Sequence, residues 1–238
     1  MRINKVLFLI SFLFLGMTSL FADSTSCYDI YKTAKKPDMT IDRAIFVLID
    51  ETTSFNESLQ EQIIKNTLSK IAPANYIYIG KFSAFIDNHY NEKIFEFKLD
   101  IPMSSEDRFN ERKDVLAKVD KCLKDQQQFV ANQIAQGIKK SFLKPDDNVS
   151  KSDILYALKD FGENVIAKTE AKEKIVILAS DMLENSTITS FYSKGVTRLI
   201  QADTELNKIQ KEDLFSNFDN SNIYIIGTGL IASKENNK

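Results

Sequence analysis

Five residues of this chain carry oxygen donors where a folded sheet would gather them: Asp50, Thr52 and Ser54 in one short segment, then Ser152 and Asp181. Asp50 closes the continuous apolar run Ala44 to Ile49, and Asp181 comes after a second one, Ile175 to Ala179, with Ser180 between. Thr52 and Ser54 succeed Asp50 at alternating positions, so a single turn could line a small cup with oxygen. A hard divalent cation, Mg²⁺ or Mn²⁺, takes an all-oxygen shell and readily keeps waters. Hydroxyls bonding it directly, with carboxylates holding those waters, make a chemically sensible site. The same residue types have a plainer use. Ser54-Phe55-Asn56-Glu57 has the spacing of a capping box, Ser150 with Asp153 has it again, and Asp50 and Asp181 can each cap the turn after its strand.

Other reactive residue types are scarce. His89 is the sole histidine and lies in the polar stretch Asp87 to Asn91, which reads as an exposed loop rather than a place for acid/base catalysis. Cys27 and Cys122 are the only cysteines.

The elements that would position the five donors can be read from hydrophobic periodicity. Arg43 to Asp50 is a run of β-favouring apolar residues, as expected for a strand buried on both faces of a parallel sheet. Leu59, Ile63, Ile64, Leu68 and Ile71 recur at helical spacing up to Pro73. Tyr76 to Phe82 predicts a second strand, and the alternation in Ile94 to Leu99 predicts an antiparallel edge strand. From 106 to 142 an apolar stripe of Leu116, Val119, Leu123, Val130, Ile134 and Ile138 predicts one long helix or two abutting ones, packed on the domain and ended at Pro145 to Asn148. A further helix starts near Ser152, with Ile154, Leu155, Leu158, Phe161 and Val165 as its inner face. Lys174 to Asp181 is a strand, helices are expected near Leu199 and from Leu206 to Phe215, and Asn222 to Gly227 is a last strand. Strands alternating with helices predict an α/β fold: a doubly wound, mostly parallel sheet with one antiparallel edge strand and helices on both faces. Ligands of such sheets bind beyond the carboxyl ends of the strands, where both aspartates stand.

Asp50-Glu51-Thr52-Thr53-Ser54 at a strand end resembles the D-x-[ST]-x-S signature of von Willebrand factor A-type domains. Ser152 is similar to the later hydroxyl of that family's metal-ion-dependent adhesion site, and Asp181 to its strand-end aspartate. Met182 stands where glycine usually comes after that aspartate. The resemblance spans about Arg43 to Gly229. It implies a von Willebrand factor A-like domain over 43–232 that binds Mg²⁺ or Mn²⁺ through Asp50, Thr52, Ser54, Ser152 and Asp181. It also implies recognition without turnover, of a protein partner that supplies an acidic side chain to the metal.

The N-terminus sets the compartment. Basic Arg2 and Lys5, the apolar stretch Val6 to Gly16 and the small-residue end at Ala22 read as a secretory signal peptide over 1–22, which leaves no membrane span and a secreted or periplasmic protein. Residues 23–42 form an N-terminal segment and 233–238 a polar, disordered tail. Export makes a disulfide between Cys27 and Cys122 the expected pairing, stapling the N-terminal segment to the long helix. The chain carries 31 basic and 33 acidic residues, and loss of Arg2 and Lys5 makes it more acidic still. That balance argues against nucleic acid as a partner. Two other classes remain open. One is similar to haloacid dehalogenase-type phosphatases, with Asp50 as nucleophile, Ser180 as strand-end hydroxyl and Asp146-Asp147 as the later acidic pair, although Thr52 stands where their general acid belongs. The other is a structural subunit of an envelope assembly, without metal.

Overall fold

The computed structural model describes residues 26–86, 89–142, 151–194 and 196–230. The expected signal peptide, the tail at 233–238, the helix stop at 145–148, the Asp146-Asp147 pair and the Ser150 cap lie outside these residues. The fold is α/β, built on a five-stranded, mostly parallel sheet.

Strand β1 (Arg43–Asp50) lies at the centre, and every residue from Ala44 to Asp50 is buried. Its unbroken apolar run requires cover on both faces, and the neighbours supply it. Strand β2 (Asn75–Ile86) pairs parallel on one side, and β4 (Glu173–Ala179) pairs parallel on the other. Strand β3 (His89–Lys98) runs antiparallel to β2 and forms one edge. A register shift opposite Ile79 and Gly80 lets consecutive Ile94 and Phe95 both pack into the same core cluster, which strict alternation would forbid. His89 is therefore not a loop residue: it opens β3, paired with Ile86, because the β2–β3 hairpin continues well past the apolar residues that announce it. Beyond β4, strand β7 (Asn222–Ile226) forms the other edge, with Ile223, Tyr224 and Ile225 all about half exposed.

Helices cover both faces. Helix α2 (Glu57–Leu68) contributes Ile63, and helix α4 (Lys113–Ser141) contributes Val130, Ile134 and Ile138, to the core on one face. Helix α5 (Ile154–Phe161), continued by a π-helical turn at Gly162–Ile166, sets Ile154, Ala157 and Phe161 against Phe46 and Val176 on the other. The predicted stripe at 106–142 is divided by a break. Helix α3 (Ser105–Asn110) ends at Glu111, whose extended backbone lets its carboxylate accept from the Ala34 and Arg112 amides. The first turns of α4 then pack not on the sheet but on helix α1 (Cys27–Tyr31), through Tyr28, Met103, Val115 and Val119. Cys27 and Cys122 are disulfide-bonded there.

Two expected helices need correction. Around Leu199 the chain forms a small hairpin, β5 (Tyr192–Ser193) and β6 (Val196–Thr197), and Leu199 is exposed rather than a buried helical residue. The next helix is α6 (Ala202–Lys211), displaced towards the N-terminus. Its anchor is polar: buried Glu205 pairs with Arg198 and Lys208 and accepts from Thr189, a network that hydrophobic periodicity does not register. No helix of the described residues is long and apolar enough to cross a membrane.

Candidate functional site

The chain leaves β1 towards β2 on one side and returns as β4 on the other, so the order of strands reverses between β1 and β4. The last paired residues there are Ile49 and Ala179, which makes Asp50 and Ser180 neighbours at the carboxyl edge. Asp50 is 0% exposed. Its Oδ1 accepts from the Thr52 amide at 3.0 Å and the Thr52 hydroxyl at 2.6 Å. Its Oδ2 accepts from Ser180 Oγ at 2.8 Å and from Ser152 Oγ at 3.4 Å. Burial pushes the Asp50 carboxyl above the ordinary range, against the opposing pull of the hydrogen bonds from Thr52, Ser180 and Thr53.

Asp181 is half-buried beside this carboxylate. Its backbone amide donates to Thr53 Oγ1 at 3.3 Å, and its Oδ1 accepts from the Leu183 amide at 2.8 Å. Burial pushes its carboxyl up to about 6, and the negative charge of Asp50 acts in the same direction. Met182, the residue in place of glycine, adopts φ 59°. That left-handed backbone is strained for a residue with a Cβ, and the Met182 amide is held by Ser180 Oγ at 3.0 Å. The turn therefore keeps a glycine-like shape without glycine.

Ser152 is buried, and its backbone exchanges two hydrogen bonds with Asn185, N to O at 3.2 Å and O to N at 3.1 Å. The next amide, Asp153 N, donates to the Ser83 carbonyl on β2. These ties bring the start of α5 to the same edge as Asp50. Tyr192 on the β5–β6 hairpin borders the site, its phenol pushed up by burial and by the negative charges of Asp181 and Asp50.

Four of the five sequence-predicted residues, Asp50, Thr52, Ser152 and Asp181, thus share one edge of the sheet. Ser54 lies in the same turn, and among the described residues it makes no hydrogen bond to either aspartate. It is exposed, and the hydroxyl turned inward from that segment belongs to Thr53. Nor does Ser54 cap α2, because that cap is Asn56, whose side chain accepts from the Leu59 amide at 3.0 Å. Ser180, Thr53, Tyr192 and Glu184 are parts of the site that the five-residue pattern omits. Only Ser180 has a signal in sequence, as the hydroxyl closing the β4 run.

The donor set is all oxygen. Among the described residues neither Asp50 nor Asp181 has a salt-bridge partner, and no three of histidine, cysteine, aspartate and glutamate gather into a metal-ligating group. A cation here would rest on two carboxylates and neighbouring hydroxyls. The residues fit a hard divalent ion, because its charge would offset two wholly or partly buried carboxylates that hydrogen bonds satisfy but no cationic side chain neutralises.

No protein-family model matches the chain, and no curated protein matches it. A solved structure of proximal thread matrix protein 1 from the mussel byssus is similar at 16% identity and a TM-score of 0.36, over 79% of this chain and 37% of that one. This chain thus spans little more than a third of the length of that protein, and a likeness of this degree assigns neither a family nor a function.

Proposed function

We propose that this chain is an exported, non-catalytic binding module of the von Willebrand factor A type. It takes up Mg²⁺ or Mn²⁺ at the β1–β4 edge and offers the ion to an acidic side chain of a protein partner. The observation that carries the reading is the meeting of two strand-end carboxylates, Asp50 and Asp181, both pushed up by burial, with the hydroxyls of Thr52, Ser152 and Ser180 and no cationic partner among the described residues. Thr52, Ser152 and Asp181 would hold the ion, Asp50 bracing Thr52 and Ser152 from behind through its hydrogen bonds and adding its charge, with Ser54 at the exposed rim. Neutral hydroxyl ligands leave the ion much of its charge, which attracts a carboxylate. The disulfide fits an oxidising compartment and hence export.

Binding is favoured over catalysis by the state of Asp50. A nucleophilic carboxylate needs an oxygen free to attack, and both Asp50 oxygens are engaged in a fully buried position. Calorimetric titration of the protein with Mg²⁺ and with Mn²⁺ tests the reading. One saturable site in the wild type, lost in Asp50→Ala, is expected. Absence of any binding heat with either ion would overturn it.

A further inference from the structure

Among the described residues, helix α5 carries no cap of its own. Asp153 occupies the N-cap position without a side-chain capping bond, although the first amides of a helix need acceptors. The acceptor comes from elsewhere. Glu184, three residues beyond Asp181, takes the Leu155 amide at 3.1 Å through Oε2. Glu184 is 3% exposed, and its other oxygen, Oε1, has no hydrogen-bond partner. Burying an acidic side chain is a costly way to cap a helix, since a side chain at the cap position itself would serve at the surface.

The position of Glu184 offers a reason. Its carbonyl accepts from the Phe191 amide at 2.8 Å, and the next residue, Asn185, exchanges both backbone hydrogen bonds with Ser152. Adjacent residues of one segment therefore hold Ser152 from both sides: Asn185 grips residue 152 itself, and the Glu184 carboxylate grips the helix at Leu155. This support matters because the contact it serves is weak. Ser152 Oγ lies 3.4 Å from Asp50 Oδ2, against 2.8 Å for Ser180 and 2.6 Å between Thr52 and Oδ1. A hydrogen bond that long does not fix its own donor, so the donor must be placed by its surroundings.

We propose that Glu184 is the positioning residue of the site: by capping α5 from the segment just after Asp181, it joins the strand-end aspartate and the Ser152 hydroxyl into one body. This role rests on the metal-site reading of the β1–β4 edge. It is distinct from coordination, since Glu184 acts through Ser152 and the α5 amides.

The test compares Glu184→Leu, which removes the acceptor at similar size, with Glu184→Gln, which keeps one. Two quantities are measured: Mn²⁺ affinity by calorimetry, and amide hydrogen exchange at Ser152 and Leu155 without metal. Glu184→Leu should weaken Mn²⁺ binding roughly 10- to 100-fold, as loss of a supporting partner does elsewhere, and should expose both amides to exchange. Glu184→Gln should restore both. In the double variant Glu184→Leu, Ser152→Ala the loss should not exceed that of Ser152→Ala alone, because the two residues act on one contact. If Glu184→Leu does not fold, Glu184→Asp, one methylene too short to reach Leu155, carries the same expectation. Wild-type Mn²⁺ affinity in a folded Glu184→Leu or Glu184→Asp variant would overturn the positioning role alone. A wild-type protein that binds no ion would overturn the metal-site reading and this role together.

Discussion

Ser180 and Asp50, 130 residues apart in sequence, meet as hydrogen-bonded neighbours at the ends of adjacent strands, the Ser180 hydroxyl donating to Asp50 Oδ2 at 2.8 Å. The pair exists because β1 and β4 align Ile49 with Ala179, so the next residue of each strand faces the other. Ser180→Ala leaves a fully buried carboxylate oxygen short of its closest donor on that side. Loss of about 1–3 kcal/mol in denaturant unfolding is expected, with unchanged secondary structure.

The metal should act through both aspartates. In the wild type, Mg²⁺ at about 100-fold over its dissociation constant should add about 2.7 kcal/mol of stability. Asp50→Ala and Asp181→Ala should each abolish that increment. Equal melting temperatures in Mg²⁺ and in chelator for the wild type would leave these carboxylates without a cation role.

Stability without metal should fall as pH rises towards neutrality. Folded Glu184 keeps its proton up to about pH 7, whereas an ordinary glutamate gives it up near 4.5. Asp181 behaves alike between 3.8 and about 6. Between those limits the folded state binds more protons than the unfolded one, so their contribution is fully present below the ordinary values and is lost as pH climbs through the folded ones. Urea unfolding should give a higher midpoint at about pH 5 than at about pH 7.5, and Glu184→Gln should flatten that difference by on the order of 2 kcal/mol.

The cap of α2 separates Ser54 from Asn56. Asn56→Ala should cost about 1 kcal/mol, and Ser54→Ala should cost almost nothing in the absence of metal. Thermal unfolding of the two variants side by side distinguishes them. A cost for Ser54→Ala equal to that for Asn56→Ala would contradict the observed cap.

Reduction of Cys27–Cys122 releases a closure of 95 residues. The chain-entropy relation puts the loss at about 4.7 kcal/mol, and replacing both cysteines with alanine should lower the unfolding free energy by a similar amount. A change below about 1 kcal/mol would mean that the reduced, unfolded chain already holds these segments together.

How far the sequence reveals this structure depends on what each of its signals reports. Ala44 to Ile49 and Ile175 to Ala179 announce buried parallel strands because cover on two faces demands unbroken apolar residues, and both form adjacent strands. The gathering of Asp50, Thr52, Ser152 and Asp181 at one edge is legible from strand ends and helix starts. The choice between Thr53 and Ser54 is not, since the rotation of a turn depends on backbone hydrogen bonds such as Thr53 N to Asp50 O. Glu184 is silent because its role depends on a helix residue 29 positions earlier, and acidic residues by default read as solvent-facing. The segment near Leu199 reads as helix in sequence because residues 186 to 194 and 196 to 201 are held by side-chain hydrogen bonds rather than by a repeating apolar face.

The anchorage of α1 also settles how the protein can be handled. The amide of Cys27 donates to Asp100, just after the end of β3, and the start of β2 lies beside it, since Leu99 N donates to Asn75 O. Residue 26 therefore enters at the amino edge of the sheet, a strand's length, roughly 25 Å, from Asp50. At the opposite end, Gly229 N donates to the Asp181 carbonyl, so the chain leaves the described structure beside the candidate site. A sensor surface coupled ahead of Ser26 would present the β1–β4 cup outward to dissolved ligands. Coupling just beyond Leu230 would turn that cup against the support and mask it.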